Sequence, residues 1–326
     1  PEARRNEVLS FVKGGLQDLS ISRTTFKWGI PVPGNEAHIM YVWLDALVNY
    51  LTAVGYPDES QEEYQSFWPA SLHMVGKDIL RFHAVYWPAF LMSAQLPVPK
   101  RVFAHGWWTN EGEKISKSLG NVISADNLIG VYGLDQTRYF LMREVPFGSD
   151  GNFARAQMIT RINSDLANNV GNLAQRTLSF INKNCDGMLP EPPHGANVDY
   201  TALMDQVRGF IDRQAFHHAL ATIIERSDDA NQRIDRDAPW SLKKANTPES
   251  LATMNQVLYE LADEIRVIAM LLQPVIPDCA AKLLDQLGVP ESQRSFAHIN
   301  THLMPGTPIE KPMGVFPRFE QIDDSA

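Results

Sequence analysis

The sequence predicts one half of an α/β doubly wound parallel sheet, followed by an all-α helical bundle. Strand-like and helix-like stretches alternate up to about residue 106, and from Ala154 onward long amphipathic patterns follow with no strand period among them. A third observation locates the ligand edge. The strand-like run Arg101-Val102-Phe103-Ala104-His105-Gly106-Trp107-Trp108-Thr109 passes through a polar Asn110-Glu111-Gly112 turn into a Lys/Ser loop. Open α/β sheets bind their ligands at the carboxyl ends of their strands.

Taken in order, residues 4–14 read as a helix stopped by Gly14-Gly15, and Asp18 to Arg23 alternates like a strand. Pro31 and Pro33 punctuate a loop before His38-Ile39-Met40-Tyr41-Val42-Trp43-Leu44, an apolar run that fits a parallel strand buried on both faces. Asp45 to Val54 follows as a helix. Ser71 to Val75 predicts a short strand, Gly76-Lys77-Asp78 a turn, and Ile79 to Ala94 a helix that Pro88 should kink. Ser124 can cap a helix to about Gly130, and Leu134 to Glu144 forms another. Helices are then expected near 154–184, 200–213, 216–236, 248–272 and 278–287, with a proline-rich connection from Pro190 to Gly195. The expected domains are 1–152, carrying the Lys/Ser loop; 153–290, helical; and 291–326, a tail that packs back on the protein.

Composition excludes several classes. Hydrophobic residues at 44% and charged residues at 21% describe a globular chain, and no apolar run approaches the ~20 residues a membrane span needs. Cys185 and Cys279 are the two cysteines, so neither a Cys-x-x-Cys metal site nor a disulfide framework is expected, and two idle thiols suit a reducing cytoplasm. A net charge of −9 argues against a protein that coats nucleic acid nonspecifically, while leaving room for an RNA partner that needs only a local face.

Chemistry concentrates in three places. In Glu113-Lys114-Ile115-Ser116-Lys117-Ser118-Leu119-Gly120-Asn121, two lysines at i and i+3 interleaved with two serines present ammonium and hydroxyl donors suited to a polyphosphate, although a similar pentapeptide also serves as a plain solvated turn. Tyr41-Val42-Trp43-Leu44-Asp45-Ala46-Leu47-Val48-Asn49-Tyr50 places Trp43, Asp45, Ala46 and Tyr50 at the expected crevice. Singly, the aromatics there serve a core as readily as a pocket. The carboxylate is less easily explained, being costly to bury at a strand end. Gly76-Lys77-Asp78 opens the next helix, with His83 and Trp87 at i and i+4; Asp78 alone would be a helix cap and His83 alone a core histidine.

Together these segments resemble a known family. Lys-Ile-Ser-Lys-Ser resembles the second signature of class I aminoacyl-tRNA synthetases, Lys-Met-Ser-Lys-Ser, with Ile115 as the apolar peg. Trp-Leu-Asp-Ala, Gly-Lys-Asp-Ile-x-x-Phe-His-x-x-x-Trp-Pro and Ala-His-Gly-Trp are similar to methionyl-tRNA synthetases over essentially the whole chain. The resemblance implies ATP with Mg²⁺, methionine and tRNA(Met) as partners and no membrane. Lys114, Lys117, Ser116 and Ser118 would act on the leaving pyrophosphate. Gly76 and Asp78 would hold the ribose, with His105, Gly106, Trp107, Ile115 and Lys117 completing the ATP contacts. Trp43, Asp45, Ala46, Tyr50, His83, Tyr86 and Trp87 would form the methionine site. Leu47 and Tyr86 depart from common forms of the family, keeping bulk at the pocket wall. Asn172 and Arg176, at i and i+4, and Trp240 would read a CAU anticodon; without the resemblance they make an ordinary helix face and a half-buried tryptophan.

Other family features are missing. None of the nine histidines (38, 73, 83, 105, 194, 217, 218, 298 and 302) sits in a His-x-Gly-His frame, and no zinc-knuckle cysteines occur, so no zinc or other metal site is expected in this chain. The expectation is the C-terminal part of such an enzyme, with the missing N-terminal half of the catalytic domain as a partner. The alternatives are a noncatalytic tRNA-binding fragment or module, and a related class I enzyme for another apolar amino acid.

Overall fold

The computed structural model describes residues 1–195 and 198–320; the last six residues of the expected tail lie outside the described residues. The chain divides into two compact units, Pro1–Trp107 with Gly148–Asp150, and Trp108–Phe147 with Gly151 onward.

The first unit opens with α1 (Glu2–Lys13) and a three-stranded antiparallel sheet, β1 (Ser22–Arg23), β2 (Pro31–Val32) and β3 (Asn35–Met40), in the order β1-β3-β2. This corrects two expectations. The strand expected over Asp18 to Arg23 is confined to its last two residues, and the run from His38 to Leu44 is not a buried parallel strand. Pro33-Gly34 joins β2 to β3 as a hairpin, with Gly34 at φ 79°, the left-handed geometry that glycine supplies at the third position of a type II turn. Of β3 only Ile39 is buried, and Val42 already begins α2 (Val42–Thr52), which buries Leu47 and Leu51. A short apolar run has no period by which to separate a strand's end from the first turn of a helix.

After α3 (Glu62–Phe67), β4 (His73–Gly76) pairs in parallel with β5 (Val102–His105), so Gly76 and His105 stand side by side at their carboxyl ends. The helix expected over Ile79 to Ala94 is broken into a 3₁₀ turn (Lys77–Ile79), a π-helical turn (Phe82–Tyr86) and α4 (Trp87–Ser93). Pro88 accounts for the break. It has no N–H to donate, and its ring would strike the carbonyl of Ala84 in a regular helix, a clash that a widened turn relieves. Leu47, Leu51, Tyr64, Trp68, Trp87 and Leu91 form the core between these helices.

In the second unit, β6 (Trp108–Asn110) pairs antiparallel with β7 (Glu113–Lys114) and parallel with a later strand, β8 (Gly151–Phe153). The single strand expected from Arg101 to Thr109 is therefore two, interrupted at Gly106-Trp107. Gly106 is needed there, because a Cβ on it would lie 2.2 Å from the Ser149 carbonyl oxygen. Next come α5 (Ala125–Tyr132), whose Asn127 N–H donates to the Ser124 cap at 3.1 Å, and α6 (Leu134–Arg143).

The stretch 155–184 comprises α7 (Arg155–Arg161), a π-helical segment (Ile162–Gly171) and α8 (Asn172–Asn184). Then follow α9 (Thr201–Asp212), α10 (Phe216–Asp237), α11 (Pro239–Ala245), α12 (Pro248–Leu272) and α13 (Pro277–Gln286). From Leu261 to Leu272 every residue of α12 but Glu264 is buried, and the helix forms the centre of the main core. Its buried Asp263–Arg266 pair, 2.6 Å apart, also binds the chain that returns over it: Arg266 donates to the Ile299 carbonyl at 3.0 Å, and Asp263 accepts from Leu303 N at 3.2 Å. Those backbone bonds satisfy charges that would otherwise be costly to bury.

The helix α11 was not expected. Pro239 reads as a stop, yet proline suits the first turn of a helix, where no intrahelical N–H bond is lost. Trp240 consequently lies in the first turn of α11.

Candidate functional site

The first unit contains an aromatic pocket. Trp43, Ala46 and Tyr50 lie at i, i+3 and i+7 on α2, one stripe of that helix. Opposite them, the π-helical turn and the start of α4 present His83 and Trp87. The His83 Nδ1 lies 3.0 Å from the Ile79 carbonyl, which can only accept, so Nδ1 carries the proton. Nε2 is then an acceptor, and the Tyr50 hydroxyl donates to it at 2.8 Å. Trp43 stacks on Phe82 with ring centroids 3.9 Å apart, and Tyr86 meets Phe82 edge-on at 5.6 Å. Asp45 is exposed in the first turn of α2, where a carboxylate is favourable beside the helix N-terminus; the reasoning that set it at a buried strand end does not hold.

His73, which sequence reasoning passed over, completes the cluster. It is 6% exposed, its ring lies 4.3 Å from that of Tyr50 and 6.0 Å from that of His83, and its Nε2 has no hydrogen-bond partner among the described residues. A lone histidine at a strand start gives no signal in sequence. Burial, with His83 nearby, lowers its pKa from 6.5 to about 4; burial also lowers that of His83, partly offset by the bond to Ile79, and raises that of Tyr50. At neutral pH the two histidines and Tyr50 are therefore uncharged.

The depressed value for His73 has a consequence for stability. Between pH 6.5 and about 4 the unfolded chain takes up a proton at His73 that the folded chain refuses, so its contribution is complete above pH 6.5 and is lost as pH falls towards 4. Substituting His73→Asn is expected to flatten that acid limb of the stability curve by on the order of 2 kcal/mol, read by denaturant titration across this range. An unchanged limb would show that His73 is not held neutral.

At the carboxyl ends of β4 and β5, Gly76 allows the Asp78 carboxylate to approach closely; a Cβ on Gly76 would lie 2.5 Å from Asp78 Oδ1. Asp78 Oδ1 accepts from the Trp107 indole at 3.4 Å, and the Lys77 ammonium lies 4.5 Å from the centre of that ring. The arrangement depends on Asp150, also missed in sequence. Its carboxylate receives Lys77 Nζ at 2.6 and 2.7 Å and the Trp107 backbone N–H at 2.9 Å, and these donors hold its pKa below the usual carboxylate range. The His105 Nδ1 donates to the Gly106 carbonyl at 2.8 Å.

The second unit carries the Lys/Ser loop. Lys114 ends β7, Ile115 is half-buried, and Lys117 opens a 3₁₀ turn (Lys117–Leu119) closed by Gly120 at φ 65°. Lys114, Lys117 and Ser118 are exposed, and neither lysine has an ion-pair partner among the described residues. The Ser116 and Ser118 hydroxyls are 2.7 Å apart.

Elsewhere in this unit Asn172 and Arg176 project from the first turns of α8. The Arg176 guanidinium lies 5.7 Å from the centre of the Trp240 ring and pairs with Asp235, whose pKa it lowers. Trp240 remains 43% exposed, which leaves its ring partly open to a stacking partner.

Comparison with known proteins bears on all of these clusters. A family profile described as tRNA synthetases class I (M) matches residues 1–178, and one described as the anticodon binding domain of methionyl tRNA ligase matches residues 197–326. A methionine–tRNA ligase of Rickettsia felis is 54% identical over 98% of this chain and 64% of its own length; one from Mycobacterium tuberculosis is 52% identical over 98% and 63%. The structure of Mycobacterium tuberculosis methionyl-tRNA synthetase in complex with methionyl-adenylate superimposes with a TM-score of 0.90, at 52% identity, over 98% of this chain and 64% of that one. The apo form gives 0.89. This chain thus spans somewhat less than two thirds of the relatives it matches. Its fold class, parallel α/β followed by a helical domain, is that of these class I structures, and the chain belongs to the methionyl-tRNA synthetase family of class I aminoacyl-tRNA synthetases.

Proposed function

We propose that this chain contributes the second half of the catalytic domain and the anticodon-binding domain of a cytoplasmic ligase that activates methionine with ATP and transfers it to tRNA(Met). The domains divide as 1–152, 153–290 and a tail from 291 to 326. The observation that carries the reading is the neutral aromatic pocket organised by the Tyr50–His83 hydrogen bond. A thioether packs favourably against aromatic edges, and the neutral Tyr50–His83 pair sets no desolvated ion beside it. The bound methionyl-adenylate named for the Mycobacterium tuberculosis relative supports the same substrate.

In this reading Trp43, Asp45, Ala46, Tyr50, His83, Tyr86 and Trp87 form the methionine site, and Gly76 with Asp78 holds the ribose. His105, Gly106, Trp107 and Ile115 border the nucleotide. The methionine carboxylate attacks the α-phosphorus of MgATP, the bond to the β-phosphate oxygen breaks, and pyrophosphate leaves. No side chain serves as nucleophile. Lys114 and Lys117, supported by Ser116 and Ser118, stabilise the charge that develops on the leaving group. Mg²⁺, held by the ATP phosphates, would supply charge neutralisation there, as suits a cation that retains much of its own hydration. A partner segment supplies the His-Ile-Gly-His half of the site. A terminal ribose hydroxyl of the tRNA then attacks the adenylate carbonyl, the bond to the phosphate breaks and AMP leaves; the CAU anticodon is read by Asn172, Arg176 and Trp240.

The test is methionine-dependent ATP–pyrophosphate exchange by the enzyme that contains this segment. Tyr50→Phe keeps the ring but removes the donor to His83, and is expected to raise KM for methionine about tenfold while KM for ATP is unchanged. Absence of exchange in the unsubstituted enzyme, or an equal rise in both KM values for Tyr50→Phe, would count against the reading.

A further inference from the structure

Asn121 lies beyond the Lys/Ser pentapeptide, and its carboxamide closes the loop. Its Oδ1 accepts from Ser116 N at 2.8 Å, and its Nδ2 donates to the Lys114 carbonyl at 3.0 Å. Because one partner is a backbone N–H and the other a carbonyl, the orientation of the amide is determined. The Asn121 backbone carbonyl in turn accepts from Asn110 Nδ2 at 2.9 Å, which ties it to the end of β6. The side chain thus acts as a strand partner for Lys114 to Ser116 just where β7 ends.

The position of Lys117 follows from that of Ser116. The 3₁₀ turn begins with Leu119 N donating to the Ser116 carbonyl at 3.2 Å and ends with Gly120 N donating to the Lys117 carbonyl at 3.2 Å. Both lysines are therefore placed by backbone that one carboxamide holds, and no other side chain fits this role as well. Aspartate has no proton to give the Lys114 carbonyl, serine cannot reach both partners from one oxygen, and glutamine carries its amide one methylene too far.

We propose that Asn121 is a positioning residue for amino-acid activation, holding Lys114 and Lys117 where pyrophosphate charge develops. The inference rests on the reading of those two lysines given above. It predicts a loss in kcat without a loss in methionine binding, since the aromatic pocket is built from residues 43–87.

The experiment compares Asn121→Asp and Asn121→Ala with the unsubstituted full-length enzyme. Asp keeps the shape but cannot donate, and Ala adds no charge, so the pair separates lost geometry from a new carboxylate. Both are expected to lower kcat for pyrophosphate exchange about tenfold with KM for methionine within about twofold. Thermal unfolding should be unchanged, and tryptic cleavage after Lys114 or Lys117 several-fold faster. Absence of exchange in the unsubstituted enzyme would dispose of the functional reading itself. An active enzyme whose two variants keep their kcat would overturn the role of Asn121 alone, as would a fall in kcat with no increase in cleavage.

Discussion

Replacing Lys117 with alanine is expected to lower kcat for methionine-dependent pyrophosphate exchange by about 10³-fold while KM for methionine stays within about twofold. That is about 4 kcal/mol of transition-state stabilisation from one group. The size follows from what the ammonium does in the ground state. Lys117 is exposed and has no ion-pair partner among the described residues, so no internal pair must be broken before it meets a departing oxyanion. On the proposed reading its interaction strengthens as charge accumulates on the leaving group, and contacts of that kind raise kcat and not substrate affinity. Lys117→Arg separates charge from placement. It keeps the charge but offers a planar fork on a stiffer frame, and it should recover only part of the loss. A Lys117→Ala variant within about fivefold of wild type would show that the loop acts through Lys114 or through neither lysine.

Features built from neighbours in sequence were legible; those built from distant partners were not. His83 and Trp87 are one helical turn apart and signalled a shared face, and the Lys/Ser loop announced its donors by composition alone. The π-helical turn that presents His83 was legible only as an expected kink, because Pro88 shows where the helix must yield but not how. Asp150 gave no signal: it reaches Lys77 and the Trp107 backbone across more than forty residues, and a carboxylate in a Gly-Ser-Asp-Gly turn looks like solvent-facing punctuation. The run from His38 to Leu44 misled for a different reason. Its residues suit a strand or a helix start equally, and the structure divides them: the Pro33-Gly34 turn sets His38 to Met40 in an antiparallel sheet, and Val42 begins α2.

The helical unit carries the second large effect. Replacing Trp240 with alanine is expected to lower kcat/KM for aminoacylation of tRNA(Met) by about 30- to 100-fold, with pyrophosphate exchange unchanged. Stacking of one base on an aromatic ring is worth ~1–3 kcal/mol, and Trp240 belongs at the upper end because its ring has two roles. On the proposed reading its exposed face meets a base, and the ring also lies 5.7 Å from the Arg176 guanidinium. Arg176 is also paired with Asp235 on α10, so reading a base edge requires it to turn from that carboxylate towards the RNA. On the proposed reading the ring would keep the guanidinium close as it turns, and without the ring Arg176 would stay with Asp235. The loss should therefore fall on discrimination: the preference for a CAU anticodon over altered anticodons should shrink, while the salt dependence of binding, which reports phosphate contacts, stays the same. A Trp240→Ala enzyme that loses exchange and aminoacylation equally would have a folding defect and not a reading defect. One that loses affinity equally for every anticodon would place the indole on the RNA backbone and not on a base.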